Sequence, residues 1–209
     1  MTVAPRSGHL STVVFDLGGV VLSWAPQLPY EQVLPAGEVP AFLAAIDFPS
    51  WNRALDAGQT FEAAERSLIA RFPESAAAVR AYREHFLRSL TGPVPGTGAV
   101  IAELQQAGVR LLALTNWSAE SFPHARGHFR LLDRFEAIVV SGEERLMKPD
   151  RAIFELFFRR TGLVPEDCVF IDDLPENIQG ARAAGLRGLV FRDTPTLLMD
   201  LRAEGVVLT

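Results

Sequence analysis

The sequence predicts a doubly wound α/β fold with a small all-helical cap inserted near its start. Several short apolar runs do not alternate polar and apolar residues, which indicates strands covered on both faces, as in a parallel sheet between helices. Amphipathic helical patterns separate the later runs, and this alternation is typical of α/β cores. A long stretch of helical patterns interrupts the alternation, and it predicts the cap.

The strands and helices of the predicted core follow from local patterns. The apolar runs are TVVF (12–15), LLAL (111–114), AIVV (137–140), VFI (169–171) and LVF (189–191). Helical patterns lie in GTGAVIAELQQAG, DRAIFELFFRRTG and LPENIQGARAAG, and each closes on a glycine suited to a helix C-terminus: Gly108, Gly162 and Gly185. The order of strands and helices predicts a Rossmann-like parallel sheet.

The predicted cap spans residues 24–92 and lies between two parts of the core, 1–23 and 93–209. It contains the helix-like pieces AFLAAI, FEAAERSLIARF and AAAVRAYREHFLRSL and no clear strand signal. Proline and glycine mark both boundaries, in WAP (24–26) and GPVPG (92–96). We expect most Phe and Leu side chains of this stretch to pack inside the cap, and the cap to act as a lid over the sheet.

Composition narrows the classes of partner and the compartment. The 209 residues carry a net charge of −5, which argues against broad attraction to nucleic acid or to anionic membranes. The single cysteine, Cys168, allows no disulfide within the chain, and no apolar run approaches the ~20 residues that span a bilayer. We therefore expect a cytoplasmic protein with a small-molecule substrate.

Polar residues follow four of the predicted strands at their carboxyl ends, where open α/β sheets bind ligands. They are Asp16 after the first strand, Thr115 and Asn116 after the second, Lys148 after the third, and Asp172 and Asp173 after the fourth. Each has an ordinary alternative: carboxylates cap helices and turns, and Thr and Asn favour turns. Their convergence on one edge of the sheet favours a ligand site instead.

Three of these residues are carboxylates, and they would repel one another if all were ionised and close together. Either the pKa values of Asp16, Asp172 and Asp173 rise, or a cation lies among them. Oxygen ligands with open coordination positions suit Mg²⁺. The sequence therefore predicts a Mg²⁺ site that bridges these acids to a phosphate.

Lys148 is the one lysine among 20 basic residues. Arginine is a planar fork, whereas lysine places a compact charge on a flexible stem. A single lysine in a chain that otherwise uses arginine indicates that this position requires the compact charge. The alternative, an incidental surface lysine, fits poorly with its place after a buried strand and before Pro149.

The four segments FDLGGVV, LLALTNWS, LMKPD and VFIDDLPENIQGARAAG, in this order, resemble the motifs of the haloacid dehalogenase-like hydrolase superfamily. The resemblance covers the whole chain, because that superfamily also carries a helical cap after its first motif. FDLG resembles members that act on sugar 1-phosphates. The resemblance implies a Mg²⁺-dependent phosphatase for a small phosphorylated metabolite, with a sugar phosphate as one option.

The resemblance also implies a role for each motif residue. Asp16 would be the nucleophile and would form an aspartyl-phosphate intermediate. Thr115 and Asn116 would bind the phosphoryl group, and Lys148 would stabilise charge on the nucleophile and on the transferring group. The implied metal ligands are Asp16, the backbone carbonyl of Gly18, Asp172 and Asp173. Asn177 would support the site from the following helical turn.

Gly18 departs from the family pattern. Many phosphatases of the family have a second Asp there, as general acid and base, and such help is typically worth ~10²–10⁴-fold. Two alternatives follow. A 2-haloacid dehalogenase would use the same Asp nucleophile without metal, since halide leaves without a proton. A non-catalytic module would keep the metal and phosphate site. The sequence does not specify the substrate, the oligomeric state or the cap residues that select a substrate.

Overall fold

The computed structural model describes residues 10–206 and confirms the predicted α/β class. The strands are β1 Thr12–Phe15, β2 Leu22–Trp24, β3 Leu90–Pro93, β4 Arg110–Thr115, β5 Ala137–Val140, β6 Cys168–Asp172 and β7 Arg187–Val190. The α-helices are α1 Val39–Ala45, α2 Phe48–Asp56, α3 Phe61–Arg71, α4 Ala76–Glu84, α5 Thr97–Gln106, α6 Phe122–His128, α7 Ser141–Glu144, α8 Arg151–Thr161, α9 Pro175–Ala183 and α10 Thr194–Ala203. Short 3₁₀ turns lie at Tyr30–Gln32, Pro73–Ser75, Phe86–Ser89, Arg130–Arg134 and Pro165–Asp167.

Five of the strands form a parallel sheet in the order β5-β4-β1-β6-β7. Phe15, the last residue of the central strand, lies opposite Ala113 on one side and Ile171 on the other. The backbone N–H of Asp16 donates to the Ile171 carbonyl at 2.8 Å. This register places Asp16 beside Asp172 at the carboxyl edge of the sheet.

Two predicted strands are longer in the structure, and one is shifted. β4 and β6 run on to Thr115 and Asp172, because these polar residues still pair in register with Val140 and Val190. The last strand was predicted over 189–191 and occupies Arg187–Val190 instead. Its first residues are not apolar, so pairing with β6 rather than hydrophobicity decides where it begins.

Both faces of the sheet are buried, as the unbroken apolar runs predict. Val14, Leu112 and Phe170 face one layer, which contains Phe154 of α8 and Ile178 of α9. The opposite face belongs to a second cluster that contains residues of α5 and continues into the cap: Val13, Phe15, Leu111, Val169, Ile171, Val100, Ile101 and Leu104. Full burial of such a side chain stabilises the fold by about 1.5–3 kcal/mol.

Helices α1–α4 lie within the predicted cap span, 24–92. The expectation that this span contains no strand is wrong at its edges, because β2 and β3 pair antiparallel, with Ser23 opposite Gly92 and Trp24 opposite Leu90. A three-residue strand whose partner is about 70 positions away gives no periodic signal. The domain boundaries stay a prediction, and residues 1–9 and 207–209 of the predicted core lie outside the described residues.

Within residues 10–206, the helices are all too short or too polar to cross a membrane.

Candidate active site

Asp16 lies directly after β1, at the carboxyl edge of the sheet, and only 7% of the residue is exposed. Its Oδ1 accepts a hydrogen bond from the Leu17 backbone N–H at 2.7 Å and lies 3.0 Å from Lys148 Nζ. Among the described residues, no hydrogen-bond donor engages the other oxygen, Oδ2. The carboxylate is therefore held by one oxygen and presents the second to the cavity above.

Lys148 and Asp172 form a buried ion pair beneath Asp16. The ammonium lies 2.6 Å from Asp172 Oδ2 and 5.1 Å from the centre of the Phe170 ring. Asp172 also accepts from the side-chain amide of Asn177 at 3.0 and 3.1 Å and from the Leu174 backbone N–H at 2.9 Å. Asn177 therefore orients the acid, and its supporting role in the reaction stays a prediction.

The electrostatics of this group follow from burial and from the balance of charges. Burial lowers the pKa of Lys148, but Asp16 and Asp172 outweigh that effect and raise the pKa above its usual value, so the ammonium stays charged. Burial raises the pKa of Asp16 to about 7; Lys148 opposes the shift, while Asp172 and Asp173 add to it. One ammonium does not balance three acids, so the site favours an additional cation.

The three predicted metal-ligating acids are close enough to share one ion. One carboxylate oxygen from each of Asp16, Asp172 and Asp173 lies within 4.8 Å of the others. Burial, and then the charge of Asp172, raises the pKa of Asp173. An all-oxygen set with room for further ligands fits Mg²⁺. The donor chemistry therefore agrees with the predicted metal site.

The two glycines after the nucleophile differ in what they permit. Gly19 has φ 76°, and a Cβ there would lie 2.5 Å from Asp173 Oδ2, so a side chain at this position would strain the backbone and displace the Asp173 carboxylate. Gly18 has no such constraint, because a Cβ there would meet nothing within 4 Å. The requirement for glycine in this turn therefore lies at Gly19.

Thr115 and Asn116 follow β4, and their side chains are used differently. The Thr115 hydroxyl is buried and has no hydrogen-bond partner within residues 10–206, which leaves it free for a phosphate oxygen. Asn116 instead forms two hydrogen bonds with the Lys148 backbone: Nδ2 donates to the carbonyl at 3.0 Å, and Oδ1 accepts from the N–H at 2.9 Å. The Asn116 side chain thus positions the lysine, and binding of the phosphoryl group by this segment stays a prediction.

A cavity of about 760 Å³ lies above the acids, between the core and the cap. Its apolar wall includes Trp24, Phe48, Leu55, Tyr82, Phe86 and Trp117. The rings touch in sequence: the centroids of Tyr82 and Phe86 are 5.9 Å apart, and those of Phe86 and Trp117 are 6.2 Å apart. These ring contacts join the predicted cap to the core along one wall of the cavity.

Sequence reasoning missed one acid of this cavity, Asp56. It is the last residue of α2, and it lines the same space as Asp16 and Asp173. An acid in the last turn of a helix opposes the helix dipole. Departures from local preference are most frequent at functional sites. The unfavourable acid at the end of a helix was therefore the feature of the sequence that could have indicated Asp56.

The family model for the haloacid dehalogenase-like hydrolases, a hydrolase family, matches residues 10–185. Two curated relatives extend along most of the chain. A sesquiterpene phosphatase of Aspergillus oryzae is 25% identical over 193 residues, which cover 90% of this chain and 93% of that protein. Mouse acyl-CoA dehydrogenase family member 10 is 28% identical over 91% of this chain, but the chain spans only 19% of that protein's length.

Solved structures share the fold. A haloacid dehalogenase family enzyme of Bacteroides thetaiotaomicron, in complex with magnesium and inorganic phosphate, has a TM-score of 0.68 at 16% identity over 88% of this chain and 95% of that one. L-2-haloacid dehalogenase of Xanthobacter autotrophicus has a TM-score of 0.62 at 19% identity over 95% and 84%. At these identities the likeness concerns the fold alone.

Proposed function

This chain belongs to the haloacid dehalogenase-like hydrolase family, and we propose that it is a Mg²⁺-dependent phosphatase that acts on a small phosphorylated metabolite. The observation that carries the proposal is the arrangement at the sheet edge. A nucleophile carboxylate, a buried ammonium and two further acids lie beside a buried hydroxyl with no partner among the described residues. Together they match the charge pattern of a phosphoryl group bound with a divalent cation.

Asp16, Asp172, Asp173 and the backbone carbonyl of Gly18 would hold the ion. Bound there, Mg²⁺ would offset the negative charge of the acids and of the phosphoryl oxygens. The neighbouring groups of the chain keep this set in place. Asn177 and Lys148 bond to the two oxygens of Asp172 and hold the acid in one orientation, in which it would be a ligand of the ion.

Asp16 would attack phosphorus through Oδ2, the oxygen that no described residue engages. A bond forms between this oxygen and phosphorus, the bond from phosphorus to the leaving alcohol breaks, and an aspartyl-phosphate results. Water then attacks the same phosphorus and releases phosphate and the free Asp16 carboxylate. Lys148, whose Nζ lies 3.0 Å from Oδ1, would stabilise the developing charge, and the Thr115 hydroxyl would donate to a phosphoryl oxygen.

The cavity admits two classes of leaving group. Its aromatic wall suits an apolar alcohol, and a relative named as a sesquiterpene phosphatase supports this class. Asn52 and Arg53 line the same space and offer donors to hydroxyl groups, which suits the sugar phosphate suggested by the FDLG segment. We propose a phosphate monoester of either class, and a substrate panel separates them.

The test is a panel of sugar phosphates, prenyl-type monophosphates, nucleotides and acyl phosphates, assayed with Mg²⁺ and with EDTA. We expect turnover only with the metal, and Asp16→Asn should lower kcat by more than about 10³-fold, since removal of a nucleophile is among the costliest changes to an active site. Asp133→Asn, which removes an exposed acid, is the matched control. Full activity of Asp16→Asn would contradict the proposal.

A 2-haloacid dehalogenase remains the alternative that uses the same nucleophile. The fold likeness to a dehalogenase does not discriminate, because at 19% identity it concerns the fold alone. The cluster of three acids favours the phosphatase, since halide release requires no metal. Chloride release from 2-chloropropionate in EDTA would reverse this order. Binding of Mg²⁺ and phosphate without turnover of any substrate would instead indicate a non-catalytic module.

A further inference from the structure

The proposed reaction requires a group that transfers protons, and none of the motif residues provides it. An alcohol leaving group requires a proton when its bond to phosphorus breaks, and the attacking water must lose one. Gly18 has no side chain to carry that proton. Lys148 is held between Asp16 and Asp172, and the pKa of its ammonium is raised, so it does not give up a proton near neutral pH.

Few other groups of the cavity can exchange a proton. Among the described residues that line it, the carboxylates are Asp16, Asp56 and Asp173, and no histidine, cysteine or lysine is present. In the proposed reaction Asp16 is the nucleophile, and Asp173 would be a ligand of the metal. Burial raises the pKa of Tyr82 far above neutrality, and its hydroxyl accepts from Trp24 Nε1 at 3.3 Å. Asp56 is the carboxyl that remains.

We propose that Asp56, supplied by the cap, is the general acid and base of this hydrolase. Its carboxyl gives a proton to the leaving oxygen as the bond from phosphorus to oxygen breaks and the bond from phosphorus to Asp16 forms. The resulting carboxylate then takes a proton from water as the water oxygen bonds to phosphorus and the Asp16 oxygen departs. One ester and one water become one alcohol and one phosphate, and both acids return to their starting state.

The geometry supports this role because the core anchors Asp56 firmly. Ser141 Oγ donates to the Asp56 backbone carbonyl at 2.6 Å and accepts from the Trp117 N–H at 2.9 Å. Two residues beyond Asp56, Gly58 has φ 93°, and a Cβ there would lie 2.8 Å from the Gly142 carbonyl, so this turn of the cap rests on the core. Asp56 is thereby tied to the segment that follows Thr115.

The side chain of Asp56 is also held in place. Asn52 Nδ2 donates to its Oδ2 at 3.0 Å, across one helical turn. Burial, and then the charge of Asp16, raises the pKa of Asp56 to about 7; Lys148, Arg53 and a hydrogen bond from the Ser118 backbone oppose the shift. A group with this pKa can both donate and accept a proton at physiological pH. Asp56 lies in the predicted cap span and lines the cavity that would hold the leaving group.

The test compares leaving groups, because an acid that only supports the fold would affect all substrates alike. Asp56→Asn should slow the burst-phase reaction of an alkyl phosphate by about 10²–10⁴-fold, while p-nitrophenyl phosphate, whose leaving group needs little protonation, reacts nearly as before. Glu62→Gln, at an exposed cap acid, is the matched control. Equal loss on both substrates, or no loss on either, would overturn the proposal.

Gly18→Asp provides an independent check, because position 18 lines the cavity and has space for a side chain. In the Asp56→Asn background it should restore alkyl phosphate turnover at least ~10-fold, by supplying a second route for the proton. Failure of this rescue in a protein that still binds Mg²⁺ and phosphate would also overturn the assignment. The inference rests on the proposed phosphatase function, which the Asp16→Asn result tests separately.

Discussion

The floor and the roof of the cavity differ in the kind of side chain that forms them. The floor consists of charged groups at strand ends, and each is bonded to the next: Asp16 to Lys148, Lys148 to Asp172, and Asp172 to Asn177. The roof consists mainly of aromatic rings in edge contact, such as Tyr82 and Phe86, with one carboxyl, Asp56. The floor comes from the core, and most of the roof comes from the cap.

This difference separates the chemistry from the choice of substrate. A network of buried charges tolerates little change, because removal of one partner leaves another without compensation. Aromatic contacts are individually weaker and adjust to neighbours of different shape. The floor is therefore suited to an invariant phosphoryl group, and the roof is suited to a leaving group that differs between relatives. Substitutions in the two regions should then have different consequences.

The largest effect is expected at the centre of the floor, with Lys148→Met. The change removes the charge that faces Asp16 and leaves Asp172 buried without its cation, so we expect a stability loss of about 3–5 kcal/mol. We also expect kcat to fall by about 10²–10³-fold, because an electrostatic donor to the developing charge is lost. Denaturant unfolding and steady-state kinetics measure the two effects.

Lys148→Arg sharpens this test, because it keeps the charge and changes its shape. Lys148 is 1% exposed, and its Nζ bridges two acids at 3.0 and 2.6 Å, so a planar guanidinium does not fit the same space. The Arg variant should recover part of the stability and little of the activity. Wild-type kcat in Lys148→Arg would show that the compact charge is not required.

The second prediction contrasts the adjacent glycines. Gly19→Ala should destabilise the protein by about 1–3 kcal/mol, because the residue has positive φ and its Cβ would overlap the Asp173 carboxylate. Gly19→Ala should also weaken Mg²⁺ binding, measured by calorimetry, since Asp173 must move. Gly18→Ala is the matched control and should leave both quantities nearly unchanged. A similar cost at both positions would contradict the distinction between them.

The sequence was most informative about the floor and least informative about the roof. Asp16, Lys148 and Asp172 could be predicted because each follows a buried strand, and parallel strands bring their carboxyl ends to one edge. The roof could not be predicted in this way. Asp56 faces the cavity only because the turn around Gly58 rests on the core, and that contact joins cap and core residues more than 80 positions apart.

The same contrast applies to single motif residues. The Asn116 amide is engaged in both directions with the Lys148 backbone, 32 positions along the chain, and the sequence alone did not predict this contact. The pairing of β2 with β3 was also missed. Both features are tertiary contacts between short polar or turn segments, and neither leaves a periodic pattern in the sequence.

The smallest predicted effect concerns pH, and it compares the acid of the roof with the acid of the floor. Burial raises the pKa of Asp56 to about 7 from 3.8, so the folded state binds more protons than the unfolded state between about pH 4 and 7. The contribution of Asp56 to the free energy of unfolding is therefore greatest at low pH and is lost as pH rises through this window. Asp56→Asn removes the group whose ionisation lowers the free energy of unfolding. We therefore expect the Tm of this variant at pH 8 to rise by about 2–4 °C, equivalent to about 1 kcal/mol, with little change at pH 4.

Asp16 has a similarly raised pKa, but the same substitution there should give a smaller gain at pH 8. Asp16→Asn also removes a partner of Lys148, whose ammonium would then rely on Asp172 alone, and this loss offsets the relief of burial. Calorimetric scans of both variants in EDTA, at pH 4 and pH 8, measure the difference. An equal increase in Tm at pH 8 in the two variants would contradict the comparison. It would mean that the ion pair between Asp16 and Lys148 contributes nothing to stability.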